Sequence, residues 1–426
     1  MVSVLAAEES DSLSPSDGER VRVRGLGDCM DTVEKAMNTP FHEIEQPEGA
    51  PLAPPADMAE VDAHRQRVYE SYEQFLRQRL AELDRDREKL WRRDYSSVEA
   101  YQRSVEPKRQ RLAAMLGWWI EPQNRPPLKT KEEQTEILFK DKDFIAYRVS
   151  FEVLPGLESY AVELAPCSPG PHPGLLAQHG YSGCPELVCG LTAQANAKDY
   201  SYRSLGIRAV RRGYHVIAVH HPSGYGAADE TIGSLPRFPK FGWTYGKNRL
   251  HRLALMAGGT LFGLDMMTSS RGVDLLMSRA GVDRNRIGMY GLSQGGLSAL
   301  YLPALDKRIK ASVCAAYFNS RLLKLIGPHR ATCYLDSPEE DKFFADVVRC
   351  FADADLVSLI CPRSFAAEAG EHDTSVDFEE SRDEFPRAAE HYRKLGLGKR
   401  VEFIAHNQGH VSATARAFQF LQEQLA

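Results

Sequence analysis

Apolar residues recur along this chain with different periods, and each change of period marks a change of structure. From Ala59 to about Lys89, Val68, Tyr72, Leu76, Leu80 and Leu83 follow one another at helical spacing with charges filling the gaps, which predicts an amphipathic helix. A second helix is predicted from Ser96 or Ser97, with Glu99 supporting the cap, to Leu116, with an interruption at Pro107. Trp118-Trp119-Ile120 closes this part against Pro122 and Pro126-Pro127. Between Thr135 and Leu164 the period falls to two. Thr135–Phe139, Phe144–Phe151 and Ser159–Leu164 then read as antiparallel strands, broken at Lys140-Asp141-Lys142-Asp143 and Pro155-Gly156.

After Pro171-His172-Pro173, short apolar runs alternate with helical stretches. Gly174–Gln178 and Tyr214–Val219 are predicted strands, with a helix from Tyr202 to Arg212 between them. A helix from about Gly259 to Arg279 buries Val273, Leu276 and Met277 and leads through Asp283-Arg284-Asn285 into a strand at Arg286–Tyr290. Ser364–Gly370 and Val401–Ala405 are later strands, and a last helix presents Phe418, Leu421 and Leu425. Alternation of this kind builds a mostly parallel sheet covered by helices on both faces, an α/β fold with antiparallel lead-in strands. Three regions follow: an extended or loosely ordered segment over residues 1–56, a helical extension over 57–125, and the α/β domain over 126–426. Residues 222–258, rich in Gly, Pro and aromatic residues, read as a long loop forming a pocket wall or lid, with Trp243 the candidate substrate contact.

Composition narrows the class. Lys and Arg number 53 against 58 Asp and Glu, a net charge of −5, with the signs interspersed, so nothing favours a nucleic-acid partner. Eight cysteines include no C-x-x-C pair and no metal-ligand spacing; Cys314, inside Ala311–Ala316, reads as a small buried hydrophobe, and no metal or cofactor is expected. No stretch reaches the roughly 20 apolar residues of a membrane span, and the first residues lack a signal-peptide pattern. A cytoplasmic protein is the expectation, with no membrane partner.

The candidate chemistry centres on Gly291-Leu292-Ser293-Gln294-Gly295-Gly296, entered from a strand and left through the helical Leu297-Ser298-Ala299-Leu300. A serine at such a turn is strained and exposed, and flanking glycines let strand and helix meet. Its hydroxyl needs a base held by a third group. Downstream, His410 follows Gly409 before the last helix, with His406 a nearby competitor, while His372 reads as a surface loop residue. Asp373 lies just past a strand end and is the candidate acid. Glu368 is its rival, or else a buried carboxylate supporting the loop. Two converging N–H donors are expected from Gln294 and, in His179-Gly180-Tyr181-Ser182-Gly183, from Tyr181.

With these residues placed, the chain resembles the α/β-hydrolase superfamily over roughly residues 130–426. Within it, the chain resembles the serine branch of dienelactone hydrolase-like and acetyl xylan esterase-like carboxylesterases. The likeness is carried by His179–Gly183, by Gly281–Ile287 leading into Gly291–Gly296, by Leu305–Ala311, and by Cys361-Pro362-Arg363-Ser364 before Gly370–Asp373. It implies Ser293 as nucleophile, Asp373 as acid and His410 as base, acting on a small-molecule ester such as an acetylated sugar. Dienelactone hydrolases proper carry cysteine where this chain has Ser293, so lactone opening is not implied. A prolyl oligopeptidase-like peptidase or amidase and a non-catalytic binding protein of the same fold are the alternatives. Self-association through the N-terminal helices is a further expectation.

Overall fold

The computed structural model describes residues 56–181, 183–192, 201–222, 245–327, 333–337, 339–412 and 414–426. The chain divides into two compact units, residues 1–67 and 68–426. Of the first, the described part is 56–67, helical from Met58.

Period-two patterning yields the lead-in strands β1 (Thr130–Lys140), β2 (Phe144–Leu154) and β3 (Leu157–Pro166), paired antiparallel in order. Pro155 and Gly156, the latter at φ 80°, close the hairpin between β2 and β3 with Leu154 opposite Leu157. The six later strands are β4 (His172–Gln178), β5 (His215–Val219), β6 (Val282–Leu292), β7 (Ile309–Ala315), β8 (Ser364–Gly370) and β9 (Val401–His406). Together they form one nine-stranded sheet in the order β1-β2-β3-β5-β4-β6-β7-β8-β9, in which β3 meets β5 antiparallel and every later pairing is parallel.

All residues of β5 and β8 are buried, as strands covered on both faces require. Alternation sends Leu176 and Met289 to one core, with Phe262, Val273 and Leu276, and sends Leu175 and Tyr290 to the other, with Leu205, Phe418 and Leu421. Cys314 is fully buried, and the seven cysteines among the described residues are all free.

The order of strands locates a crevice. The chain leaves β4 toward one side to form β5 and returns to the other side to form β6. Helices therefore depart in opposite directions from the carboxyl ends of β4 and β6, leaving a gap where ligands bind in sheets of this kind.

Several local expectations need correction. The helix Val98–Leu116 begins at Ser97, whose hydroxyl accepts from Ala100 N at 3.0 Å, but it runs unbroken through Pro107. Burial of Tyr101, Val105, Leu112 and Leu116 offsets the missing backbone hydrogen bond. The predicted helix Tyr202–Arg212 contracts to Leu205–Val210. Helix Met58–Asp86 forms, yet its apolar stripe is largely uncovered: Val68, Tyr72 and Leu76 are exposed, and Leu80 is partly buried against the core. The long loop is not irregular throughout, because Tyr245–Met256 is a helix; residues 223–244, including Trp243, lie outside the described residues.

Candidate active site

Ser293 stands between the end of β6 and the helix Gln294–Leu305 with φ 60° and ψ −119°. A side chain in that region of backbone space is strained, and here the neighbouring glycines enforce it. A Cβ at Gly291 would lie 2.0 Å from Gly295 O, and one at Gly295 would lie 2.1 Å from Gln178 O. Ser293 N donates to Ala315 O at 2.9 Å, fixing the turn against β7. Its side chain remains partly exposed.

Gln294 opens the following helix, where N–H groups lack partners within the helix and the helix dipole is positive. The loop after β4 approaches from the other side of the crevice. A Cβ on Gly180 would touch Ser293 Cβ at 3.2 Å, and Gly180 N donates to the Tyr202 hydroxyl at 2.7 Å. The two predicted oxyanion donors, Tyr181 and Gln294, therefore belong to backbones that flank Ser293.

The acid and base loops lie at the ends of the adjacent strands β8 and β9. Glu371 N donates to His406 O at 2.8 Å and His372 N to Gln408 O at 3.1 Å, so the two loops are sewn together. His410 Nδ1 lies 2.8 Å from Asp373 Oδ2 and 3.0 Å from Oδ1. Asp373 is 2% exposed at its side chain, and its Oδ1 also accepts from Ser375 N at 2.7 Å and Val376 N at 3.2 Å. The structure thus brings Asp373 to His410. His406 instead accepts from Gln408 N at 3.3 Å, and burial shifts it toward the neutral form. Glu368 is fully buried, accepts from the Tyr290 hydroxyl and from Thr414 N at 3.2 Å, and is raised by desolvation. It is a brace beneath the loop. No hydrogen bond among the described residues joins Ser293 to His410, and in ligand-free enzymes such contacts often tighten only on substrate binding.

A cluster of charges behind Gln294 escaped the sequence reading. Lys342 Nζ donates to the Gln294 carboxamide oxygen and lies 3.0 Å from Asp341, which pairs with Lys247 at 2.8 Å. All three side chains are at most 2% exposed. Both ammonium groups face the Tyr181 ring, at 4.2 Å for Lys247 and 5.0 Å for Lys342. Burial alone would raise Asp341, but the two lysines outweigh it and hold the carboxyl below its usual range. Lys247 and Lys342 carry no sequence spacing that could have exposed them. Asp265 did, as a lone carboxylate within Leu261-Phe262-Gly263-Leu264-Asp265-Met266-Met267. Among the described residues, no group of three or more His, Cys, Asp or Glu could hold a metal.

A family model described as acetyl xylan esterase (AXE1) matches residues 263–333, the stretch that contains Ser293. YtaP of Bacillus subtilis (strain 168), a protein proposed to be a hydrolase, is 28% identical over 213 residues, or 48% of this chain and 61% of its own length. The crystal structure of a proposed acetyl xylan esterase from Bacteroides fragilis NCTC 9343 superposes with a TM-score of 0.54 at 18% identity, covering 74% of this chain and 77% of the other. A glucuronoyl esterase from Solibacter usitatus superposes at 0.56 with 15% identity, covering 77% and 94%. The chain has the α/β-hydrolase fold. Its elbow region is similar to the acetyl xylan esterases. No helix among the described residues is long and apolar enough to cross a membrane.

Proposed function

We propose that this protein hydrolyses carboxylic esters through an acyl-enzyme intermediate. Ser293 attacks the ester carbonyl while His410 takes its proton. Asp373 fixes the imidazole with Nδ1 protonated, so that Nε2 is the accepting nitrogen. The N–H groups of Tyr181 and Gln294 receive the oxyanion, and His410 then protonates the departing alcohol. Water, activated by the same imidazole, releases the acid. The observation that carries the reading is the Asp373–His410 pair at 2.8 Å, formed by the loops after β8 and β9 while a strained serine occupies the turn after β6. The likeness of the elbow region to acetyl xylan esterases supports an ester of a carbohydrate as substrate.

Labelling by a fluorophosphonate probe, together with turnover of an aryl acetate, tests this. Wild-type protein is expected to react in both assays and Ser293→Ala in neither. Undiminished labelling of Ser293→Ala would remove the serine from the mechanism. An aminoacyl arylamide serves as the contrasting substrate, since preferential cleavage of it would favour a peptidase. The exposed Tyr72 and Leu76 are the proposed self-association face, and a monomeric mass by light scattering would refute that part.

A further inference from the structure

A cavity of about 520 Å³ opens beside the oxyanion loop, on the β5 side. Its walls are mostly apolar, formed by Trp118, Leu157, Leu253, Leu261 and Leu264, with His220 at one side. His220 stacks on Tyr160 at 5.0 Å and on His179 at 5.7 Å, and His179 begins the loop that carries Tyr181. Through His220 and His179 the cavity therefore adjoins the loop that carries Tyr181.

Asp265 also lines the cavity. It is 1% exposed, and neither carboxyl oxygen has a hydrogen-bond partner. The nearest candidate, His221 Nδ1, stays 3.9 Å away. Among the other polar wall groups, Ser159 donates to His220 O at 2.9 Å, the Tyr160 hydroxyl donates to Glu186 at 3.2 Å, and Glu158 pairs with Lys131. A buried carboxyl left without a partner costs free energy that a bound donor would recover. A cationic donor fits poorly, because the buried Lys247 acts on Asp265 electrostatically and a second cation would have to shed its water in an apolar chamber. A hydroxyl carries no charge to desolvate and can either donate or accept. It therefore pairs with this carboxyl in either protonation state.

We propose that the cavity binds a hydroxyl-bearing apolar group of the ester substrate, a phenol or a comparable ring alcohol, with the hydroxyl hydrogen-bonded to Asp265. The assignment of that group to a substrate rests on the esterase reading above; the binding site itself does not. The volume is within the range that buries small organic ligands.

Two measurements test it. Calorimetry with 4-propylphenol and propylbenzene is expected to show the phenol binding at least about tenfold tighter, as pairing an otherwise orphaned polar group implies. That preference should vanish in Asp265→Leu. Leu253→Trp, at a half-exposed wall position, should block both ligands and serves as the second variant if Asp265→Leu does not fold. In parallel, kcat/KM is compared for methyl 3-(4-hydroxyphenyl)propanoate and methyl 3-phenylpropanoate, with the hydroxylated ester preferred by about tenfold or more in wild type. Phenol binding that depends on Asp265, without hydrolysis of either ester, upholds the cavity and overturns the esterase reading. Equal hydrolysis of both esters, with no phenol binding or with binding unaffected by both variants, overturns the cavity and leaves the esterase reading standing.

Discussion

Asp373→Asn separates the orienting role of the carboxylate from its role in folding. Asp373 Oδ1 accepts backbone N–H groups from Ser375 and Val376, at 2.7 and 3.2 Å, while Oδ2 faces His410 Nδ1 at 2.8 Å. An asparagine that keeps its oxygen toward the two backbone donors must turn its NH2 toward the imidazole. Nδ1 then becomes an acceptor, the ring proton moves to Nε2, and the nitrogen needed to receive the serine proton is blocked. The substitution is nearly isosteric at a side chain only 2% exposed, so the loop should hold its shape. The expected loss is about ten-thousandfold in kcat, equivalent to about 5.5 kcal/mol of transition-state stabilisation. KM for an aryl acetate should change little, because the ground-state contacts remain. Steady-state kinetics with circular dichroism and a denaturation curve is the assay. A kcat within about threefold of wild type in a folded variant would refute the chain from Asp373 to His410, and so would an equal loss in Glu368→Gln.

Other perturbations probe the scaffold. Gly295→Ala places a Cβ 2.1 Å from Gln178 O, more than an ångström inside normal contact, so the elbow must shift; ester turnover should fall about a hundredfold or more, and unaltered turnover would show the turn to be pliable. Asp355→Ala leaves Arg87 and Arg93 without their shared buried carboxylate, which accepts from Arg87 Nε at 2.7 Å and from Arg93. A loss of about 3–5 kcal/mol in a urea titration is expected, and a loss below about 1 kcal/mol would count against a structural role for the pair. Acid should destabilise the fold early. Burial first, and then the neighbouring His220 for His179 and Arg93 for His391, lower these rings to about 3, and burial lowers His220 to about 4. Below the unfolded value of 6.5 the unfolded chain binds protons that the native chain refuses. Stability is therefore fully present above about 6.5 and is lost as pH falls toward 4 for His220 and toward 3 for His179 and His391, by at most about 1.4 kcal/mol per histidine per pH unit. A urea midpoint unchanged between pH 7 and pH 5 would contradict this.

Legibility in the sequence followed physical range. The strand positions and the elbow rest on local signals: period two, period 3.6, glycines flanking a serine. These were readable because each is enforced within a few residues. His410 was preferred to His406 on a local signal, its place after Gly409 directly before the last helix, while its pairing with Asp373 is a tertiary contact. Pro107 misled because propensity is a local cost, and four buried apolar side chains on the same helix outweigh it. The helix Met58–Asp86 forms as its period predicts, yet most of its apolar stripe is uncovered. Periodicity says which residues share a face and not whether anything covers that face. The loop prediction over 222–258 missed the helix Tyr245–Met256 because Gly, Pro and aromatic residues earlier in the segment dominated its composition. The lysine cluster was invisible since Lys247 and Lys342 meet only through tertiary packing.

That cluster is one place where the fold departs from what stability alone would select. Burying Lys247, Asp341 and Lys342 together requires stripping water from three charges, and apolar side chains of similar volume would often stabilise the same space as well or better. The charges are placed against the two residues whose backbone N–H groups flank Ser293: Lys342 holds the Gln294 side chain, and both ammonium groups face the Tyr181 ring. Two cations share one fully buried carboxylate there, with Glu339 a partly buried second partner for Lys342 at 3.3 Å. Two carboxylates thus face two ammonium groups, so the cluster's charge nearly cancels, and what it gives Gln294 is the direct hydrogen bond from Lys342 that fixes its side chain. The cost in stability falls where Gln294 and Tyr181, the proposed oxyanion donors, are held beside Ser293, which is the pattern expected where function overrides packing.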